Sequence, residues 1–239
     1  SQAQISGIIG HANMMLGSNV KEVLELHEEK GNGLFRGIRH AGGWDSDERV
    51  KNAHSHPTPH IYLEDKFQEG LQELSSMNMV FDTWHYHNQI KDLTKLAKNL
   101  PELIIVHDHF GGPLGIGPYK DKREEIFVQW QEDIHELSQC NNVYSKLGGL
   151  AMPVNGWDWH KRALPATSDE IITEQSRYYH YTLECFGSER CMFESNFPVD
   201  KQSVSYHVIW NAYKKLVKDF DEKTKDDLFY NTAEKVYKL

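Results

Sequence analysis

Short apolar runs alternate along this chain with longer segments in which apolar residues recur every three or four positions. Short runs rich in apolar and β-branched residues predict strands, whereas the longer spacing predicts amphipathic helices. This alternation is typical of a parallel sheet whose strands are joined by helical crossovers. The pattern predicts six strands, at residues 5–10, 34–39, 79–84, 103–107, 143–147 and 190–195.

Two helix starts carry the spacing of a capping box, in which two side chains bind each other's backbone N–H groups. Asn19 is followed by Glu22, and Thr167 by Glu170. Gly31 and the glycine at 187 follow the last periodic positions and predict where these two helices end.

Two His-x-His pairs close predicted strands, and they are the strongest chemical signal in the chain. One is His85-Tyr86-His87 and the other is His107-Asp108-His109. Residues two apart in a strand point to the same face, so the four imidazoles are predicted to approach a common pocket. Imidazole suits both proton transfer near neutral pH and metal binding. We therefore expect an active site at this end of the sheet.

The other predicted strands also end in polar or charged residues. Open and closed parallel sheets both bind ligands at the carboxyl ends of their strands. Arg39 lies in an apolar strand, and a buried guanidinium needs an anionic partner such as Asp82 or a substrate carboxylate. Lys146 is either a site residue or an edge residue reaching into water. The candidates are Arg39, His40, Trp84, His87, Gln89, His107, His109, Lys146, Glu194, Asn196 and Asp200.

Composition and charge exclude several classes of partner. With 26 basic and 35 acidic residues, the net charge is −9, and without a basic stripe we expect no nucleic-acid partner. No apolar run approaches the ~20 residues of a membrane helix, so we expect no membrane partner. Three cysteines without C-x-x-C spacing favour reduced thiols in the cytoplasm. No linker divides residues 1–239, which are predicted to form one domain.

Several motifs together resemble the second amidohydrolase family, predicted metal-dependent hydrolases with a TIM-type (β/α)8 barrel. The resemblance covers essentially the whole chain and points to the branch of sugar-lactone hydrolases and 2-pyrone-4,6-dicarboxylate hydrolase. Family members begin with a His-x-His strand and a second strand that are missing here. The chain starts at Ser1, so we expect an N-terminally incomplete barrel with strands three to eight. The motifs are GHANMMLG, FRGIRHAGGWD, FDTWHYHNQ, IIVHDHFGGPLGIGPY, VYSKLGGLAMP and RCMFESNFPVDK.

The resemblance also implies roles for individual residues. His109 matches a family histidine that binds metal or polarises the substrate. Asn196 stands where most relatives have an aspartate that binds metal and takes the proton from water, and an amide does not titrate in this range. Arg39 and His40 match a motif that binds an anionic or lactone oxygen. His87 and Gln89 match a pocket-lining run, while Trp84, His107 and Lys146 complete the predicted substrate contacts. Glu194, Asp200, His87 and His107 are the candidates for a replacement base.

Three functions follow from this resemblance as alternatives. The leading hypothesis is a hydrolase that opens a lactone or similar cyclic ester of a small carboxylated or sugar-derived compound by water attack. A divalent metal such as zinc could assist, although the missing His-x-His strand and Asn196 also leave open a metal-free or weak-metal mechanism. The second is a decarboxylase of a carboxylated ring, which Asn196 disfavours, and the third is a non-catalytic binding protein. The sequence leaves the substrate, the base and the oligomeric state open, including a homo-oligomer.

Overall fold

A computed structural model describes residues 4–239 and contains one sheet of six parallel strands. The strands follow chain order, so each pairs with the next one along the sequence. This order agrees with the alternation predicted from the apolar pattern. The strands are β1 (Ile8–Gly10), β2 (Phe35–Ala41), β3 (Val80–Trp84), β4 (Ile105–His107), β5 (Val143–Leu147) and β6 (Cys191–Phe193).

Helices connect consecutive strands and cover one face of the sheet. After β6, the chain adds three helices and one π-helical turn, Asp227–Asn231. Nothing among the described helices is long and apolar enough to cross a bilayer. The helices are α1 (Val20–Lys30), α2 (Asp65–Ser76), α3 (Ile90–Asn99), α4 (Arg123–Ser138), α5 (Ser168–Phe186), α6 (Tyr206–Leu216), α7 (Glu222–Asp226) and α8 (Thr232–Tyr237).

The two faces of the sheet have different environments because side chains alternate along each strand. On the helix face, residues such as Ile38, Phe81 and Ile105 join the large apolar core with α1 to α6. The opposite face is concave. Arg39 on β2 lies 2.6 Å from Asp108 beyond β4, although β3 runs between the two strands. Only a curled sheet brings such side chains together, and we call the enclosed side the interior.

A small apolar cluster closes the interior at the end where the strands begin. It contains Val80, Val106 and Met192 from three strands, together with Val236 and Tyr237 from α8. The last helix therefore plugs the bottom of the sheet. The candidate site occupies the opposite, carboxyl end.

Local sequence signals located most elements but not every boundary. The strand at 143–147 matches its prediction, whereas the first is shorter than predicted and begins at Ile8. The Thr167 and Glu170 side chains form the predicted capping box of α5. Asn19 makes no capping bond, because its backbone is already helical, so the first predicted box was wrong. Gly31 follows the end of α1 as predicted.

Candidate active site

Four charged side chains form the floor of the interior, directly above the apolar plug. Lys146 Nζ lies 2.5 Å from Asp82 Oδ2 and 3.3 Å from Asp108 Oδ1. Arg39 Nη2 lies 2.6 Å from Asp108 Oδ2 and 3.6 Å from Asp82 Oδ2. Both carboxylates are fully buried, whereas the Arg39 side chain is 36% exposed. We call these four residues the ionic floor.

Opposite charges within the ionic floor stabilise its ionised state against burial. Burial lowers the pKa of Lys146, but Asp108 and Asp82 raise it, and the net shift is well upward. The pKa of Arg39 is raised for the same reason. Both residues are therefore permanent cations. Burial raises the pKa of Asp108 against the opposing effects of Arg39 and Lys146.

Above the floor, a hydrogen bond joins His109 to Glu194 across the interior. His109 Nδ1 contacts Glu194 Oε1, although the residues are 85 positions apart. The two glycines after β5 make room for this pair. A Cβ on Gly148 would lie 2.6 Å from Glu194 Cγ, and one on Gly149 would lie 2.5 Å from His109 Nδ1. The close packing of the His109–Glu194 pair therefore requires glycine at both positions.

The backbone beneath His109 is strained. His109 and Phe110 both adopt left-handed conformations, with φ values of 53° and 56°. Each such residue costs roughly 1–2 kcal/mol relative to the right-handed form. Residues in unfavourable backbone conformations concentrate at functional sites, where the surrounding structure holds them in place. Phe110 is fully buried, which anchors this turn and fixes the direction of the His109 ring.

The Glu194 carboxylate is the orienting partner in this pair. Burial raises its pKa, but the nearby His109, Lys146 and Arg39 lower it, and the net shift is downward. An ionised Glu194 accepts a hydrogen bond from the His109 Nδ1–H and leaves Nε2 as the free ring nitrogen. No hydrogen bond to Nε2 comes from the described part of the chain. A carboxylate-oriented imidazole of this kind can act as a general base.

Asn196 and Asp200 lie on the loop that follows β6. Asn196, at φ 50°, donates from Nδ2 to Asp200 Oδ1 at 2.8 Å, and the Ala151 N–H donates to the other carboxylate oxygen at 3.3 Å. Burial raises the pKa of Asp200 to about 7, against the lowering effect of His109. Asp200 is 1% exposed, so its direct partner is the Asn196 amide rather than solvent.

Trp84 packs against the His109–Glu194 pair, and His87 lies on the loop that follows β3. The Trp84 ring lies 5.2 Å from the His109 ring, edge to face. His87 accepts a hydrogen bond at Nδ1 from the Leu114 N–H and packs 5.1 Å from the Tyr119 ring. Burial lowers the pKa of His87 to about 4, so it is neutral at physiological pH. These rings can form a wall for a flat substrate ring.

Three predicted contacts lie away from the interior. His40 is on the helix face, where the Met14 N–H donates to Nδ1 and Phe67 packs against the ring. Gln89 uses its amide to join loops, accepting from the Trp44 and Tyr86 N–H groups and donating to the Gly42 and Pro59 carbonyls. His107 is fully buried on the helix face, with its ring 5.1 Å from that of His85.

The His-x-His pairs are split because both strands end before the second histidine of each pair. β3 ends at Trp84 and β4 at His107. Beyond these points the chain turns into short 3-10 segments, and the two-residue periodicity no longer applies. His85 and His107 therefore remain in the core layer, whereas His109 reaches the interior. The expected convergence of four imidazoles was wrong.

The sequence pattern indicated Asp82 only as a possible partner of Arg39, and it assigned no role to Asp108 or Tyr237. Asp82 had a usable signal, since a carboxylate inside an apolar strand needs a partner. Tyr237 had none, because an aromatic residue near the end of an amphipathic helix is ordinary. Its hydroxyl donates to Asp82 Oδ1 at 2.9 Å and to Oδ2 at 3.0 Å.

The residues present do not fit a bound metal ion. Within residues 4–239, no group of three or more His, Cys, Asp or Glu side chains is arranged to hold one. The Asp82 and Asp108 carboxylates are already neutralised by Lys146 and Arg39, and Glu194 binds His109. Zinc sites normally need three or four converging protein ligands. No catalytic step is therefore derived through a metal.

A curled parallel sheet with polar and charged side chains at its carboxyl end is the arrangement of barrel-type α/β enzymes. The chain belongs to the amidohydrolase family, whose model matches residues 2–239. It is 30% identical to the uncharacterised protein y4mH of Sinorhizobium fredii (strain NBRC 101917 / NGR234), over 98% of this chain and 70% of that protein. It is also 25% identical to the L-fucono-1,5-lactonase of Burkholderia multivorans (strain ATCC 17616 / 249), over 100% of this chain and 73% of the lactonase.

Solved structures confirm the fold. An amidohydrolase from Burkholderia multivorans, crystallised with bound zinc, superposes with a TM-score of 0.79 at 22% identity, covering 100% of this chain and 75% of that one. The predicted barrel-type fold, with six of its strands, is therefore confirmed.

Proposed function

We propose that this protein hydrolyses a lactone or similar cyclic ester of a small carboxylated or sugar-derived compound. The observation that carries the proposal is the His109–Glu194 pair, held above the ionic floor at the carboxyl end of the sheet. The similarity to a lactonase over the whole chain supports the choice of a cyclic ester.

In the proposed reaction, water attacks the ring carbonyl while His109 Nε2 takes one of its protons. Glu194 accepts the Nδ1 hydrogen bond and stabilises the imidazolium that forms, as the carboxylate does in a histidine-based triad. The ring C–O bond of the tetrahedral intermediate then breaks. His109 returns the proton to the departing alkoxide, and the product is an open hydroxy acid.

The negative charge that develops on the carbonyl oxygen needs stabilisation, and the ionic floor contains two cations. Arg39 is partly exposed, and Lys146 is 12% exposed. Donors preorganised in this way are typically worth about 3–4 kcal/mol of transition-state stabilisation each. Asn196 cannot take a proton, but its amide can orient the attacking water or the substrate. Trp84 and His87 form the wall against which the ring packs.

The test measures the turnover of a panel of lactones by the full-length protein. A pH indicator monitors turnover by detecting the acid that ring opening releases. The panel contains neutral sugar 1,5-lactones and carboxylated lactones. His109→Gln should lower kcat by roughly 10²- to 10⁴-fold, the usual contribution of a general base. Glu194→Gln should also lower kcat, because the wrong tautomer of His109 becomes available.

His135→Gln is the matched control, since His135 is exposed on α4. It should leave turnover unchanged. Wild-type activity that survives His109→Gln would refute the assignment of the base. Ligand binding without turnover of any lactone would instead indicate a non-catalytic relative.

A further inference from the structure

The hydroxyl of Tyr237 reaches the ionic floor from below, through the plugged end of the interior. Its two hydrogen bonds to Asp82, at 2.9 and 3.0 Å, join residues 155 positions apart. Tyr237 is 8% exposed and packs among the apolar residues of the plug. Beside it, Lys238 Nζ donates to the Asn78 carbonyl at 3.2 Å, which ties the end of α8 to the residues before β3.

Asp82 is thus shared between two donors of different kinds. The neutral hydroxyl of Tyr237 binds both carboxylate oxygens, whereas the Lys146 ammonium binds Oδ2 and also reaches Asp108. Without the hydroxyl, both oxygens of a fully buried carboxylate would be left to the cations. Asp82 Oδ1 would then lose its hydrogen bond, and the Lys146 ammonium, which is already 2.5 Å from Oδ2, would move to contact both oxygens and so away from Asp108.

We infer that Tyr237 is a positioning residue. By holding the Asp82 carboxylate in place, it keeps the Lys146 ammonium in the position from which that group faces the reacting carbonyl. This inference rests on the proposed function, in which Lys146 stabilises the developing oxyanion. It also gives α8 a role in the site, although α8 lies at the opposite end of the strands from His109. A residue of this kind acts on turnover through Lys146 and touches no substrate.

The test compares Tyr237→Phe with Tyr144→Phe in the full-length protein. Both substitutions remove one hydroxyl and keep the ring, and Tyr144 packs against the same interior cluster without bonding Asp82. Tyr237→Phe should lower kcat about 10- to 100-fold, as expected for a displaced catalytic group, and leave KM within about twofold. Tyr144→Phe should change neither constant. An unchanged kcat in Tyr237→Phe would overturn the inference, as would an equal loss in both variants.

A substrate-free measurement separates this inference from the proposed function. The ammonium resonance of Lys146 can be followed by proton–nitrogen NMR and assigned by its loss in Lys146→Met. Tyr237→Phe should shift it, whereas Tyr144→Phe should not. Should Tyr237→Phe fail to fold, 3-fluorotyrosine at position 237 keeps the ring, changes the strength of the donor and should also move the signal. A moved resonance without lactone turnover would support the positioning role and refute the lactonase; an unmoved resonance would refute the positioning role.

Discussion

Replacing His107 tests whether this residue is a core group or a site residue. His107 is fully buried, and neither ring nitrogen has a hydrogen-bond partner within the described residues. Burial, reinforced by the nearby His109, lowers its pKa from 6.5 to about 3. The unfolded chain therefore binds a proton below pH 6.5 that the folded protein does not bind until about pH 3.

The sign and size of the effect follow from this difference. At pH 7, His107 does not lower the free energy of unfolding. That free energy falls as the pH drops below 6.5 toward the folded-state pKa of His107. At pH 5, the pH lies about 1.5 units below the unfolded pKa, and each unit is worth about 1.4 kcal/mol, so the loss is about 2 kcal/mol. His107→Phe and His107→Gln both remove the titrating group and should remove this part of the pH dependence.

Urea unfolding of the wild type and both variants at pH 7 and pH 5 measures the difference. The wild type should lose about 2 kcal/mol more than either variant between these two pH values. His107→Phe should also keep lactone turnover within about threefold, because the ring lies on the helix face. An unchanged pH dependence in both variants would refute the burial argument, and a loss of turnover comparable to that of His109→Gln would place His107 in the site after all.

Three further predictions concern the centre itself. Gly149→Ala should displace the His109 ring and lower kcat at least about 10-fold, since a Cβ there would lie 2.5 Å from Nδ1. The control is Gly187→Ala, because Gly187 has a φ of 75°, close to the 79° of Gly149, but lies in open space. It should leave kcat unchanged. Asp200, whose folded-state pKa is raised to about 7, contributes stability below its unfolded pKa of 3.8 and loses it as the pH rises through 7. Asp200→Asn should therefore gain stability relative to the wild type between pH 5 and pH 9 in urea unfolding, and parallel curves would contradict this. Turnover should survive exhaustive chelation, with metal analysis used to check that the metal has been removed. A loss of turnover that zinc restores would show that ligands beyond the described residues complete a metal centre.

Local sequence patterns were sufficient to predict most strands and helices. They also predicted which end of the sheet carries the candidate site. The strand at 143–147 and the box of Thr167 and Glu170 depend on neighbours a few residues apart, which the sequence displays directly. The first box failed because the short 3-10 segment before α1 continues into it, so Asn19 already has a helical backbone.

The partners within the site required the tertiary structure. The periodicity that assigns side chains to a face holds only while the strand continues. The ends of β3 and β4 were predicted, but the expected pairing of the histidines extended the two-residue alternation beyond them. The curl of the sheet then decides which charges meet across an intervening strand, as Arg39 and Asp108 do. The sequence by itself therefore determined a parallel α/β protein with polar strand ends, whereas long-range packing brought His109 against Glu194 and Tyr237 against Asp82.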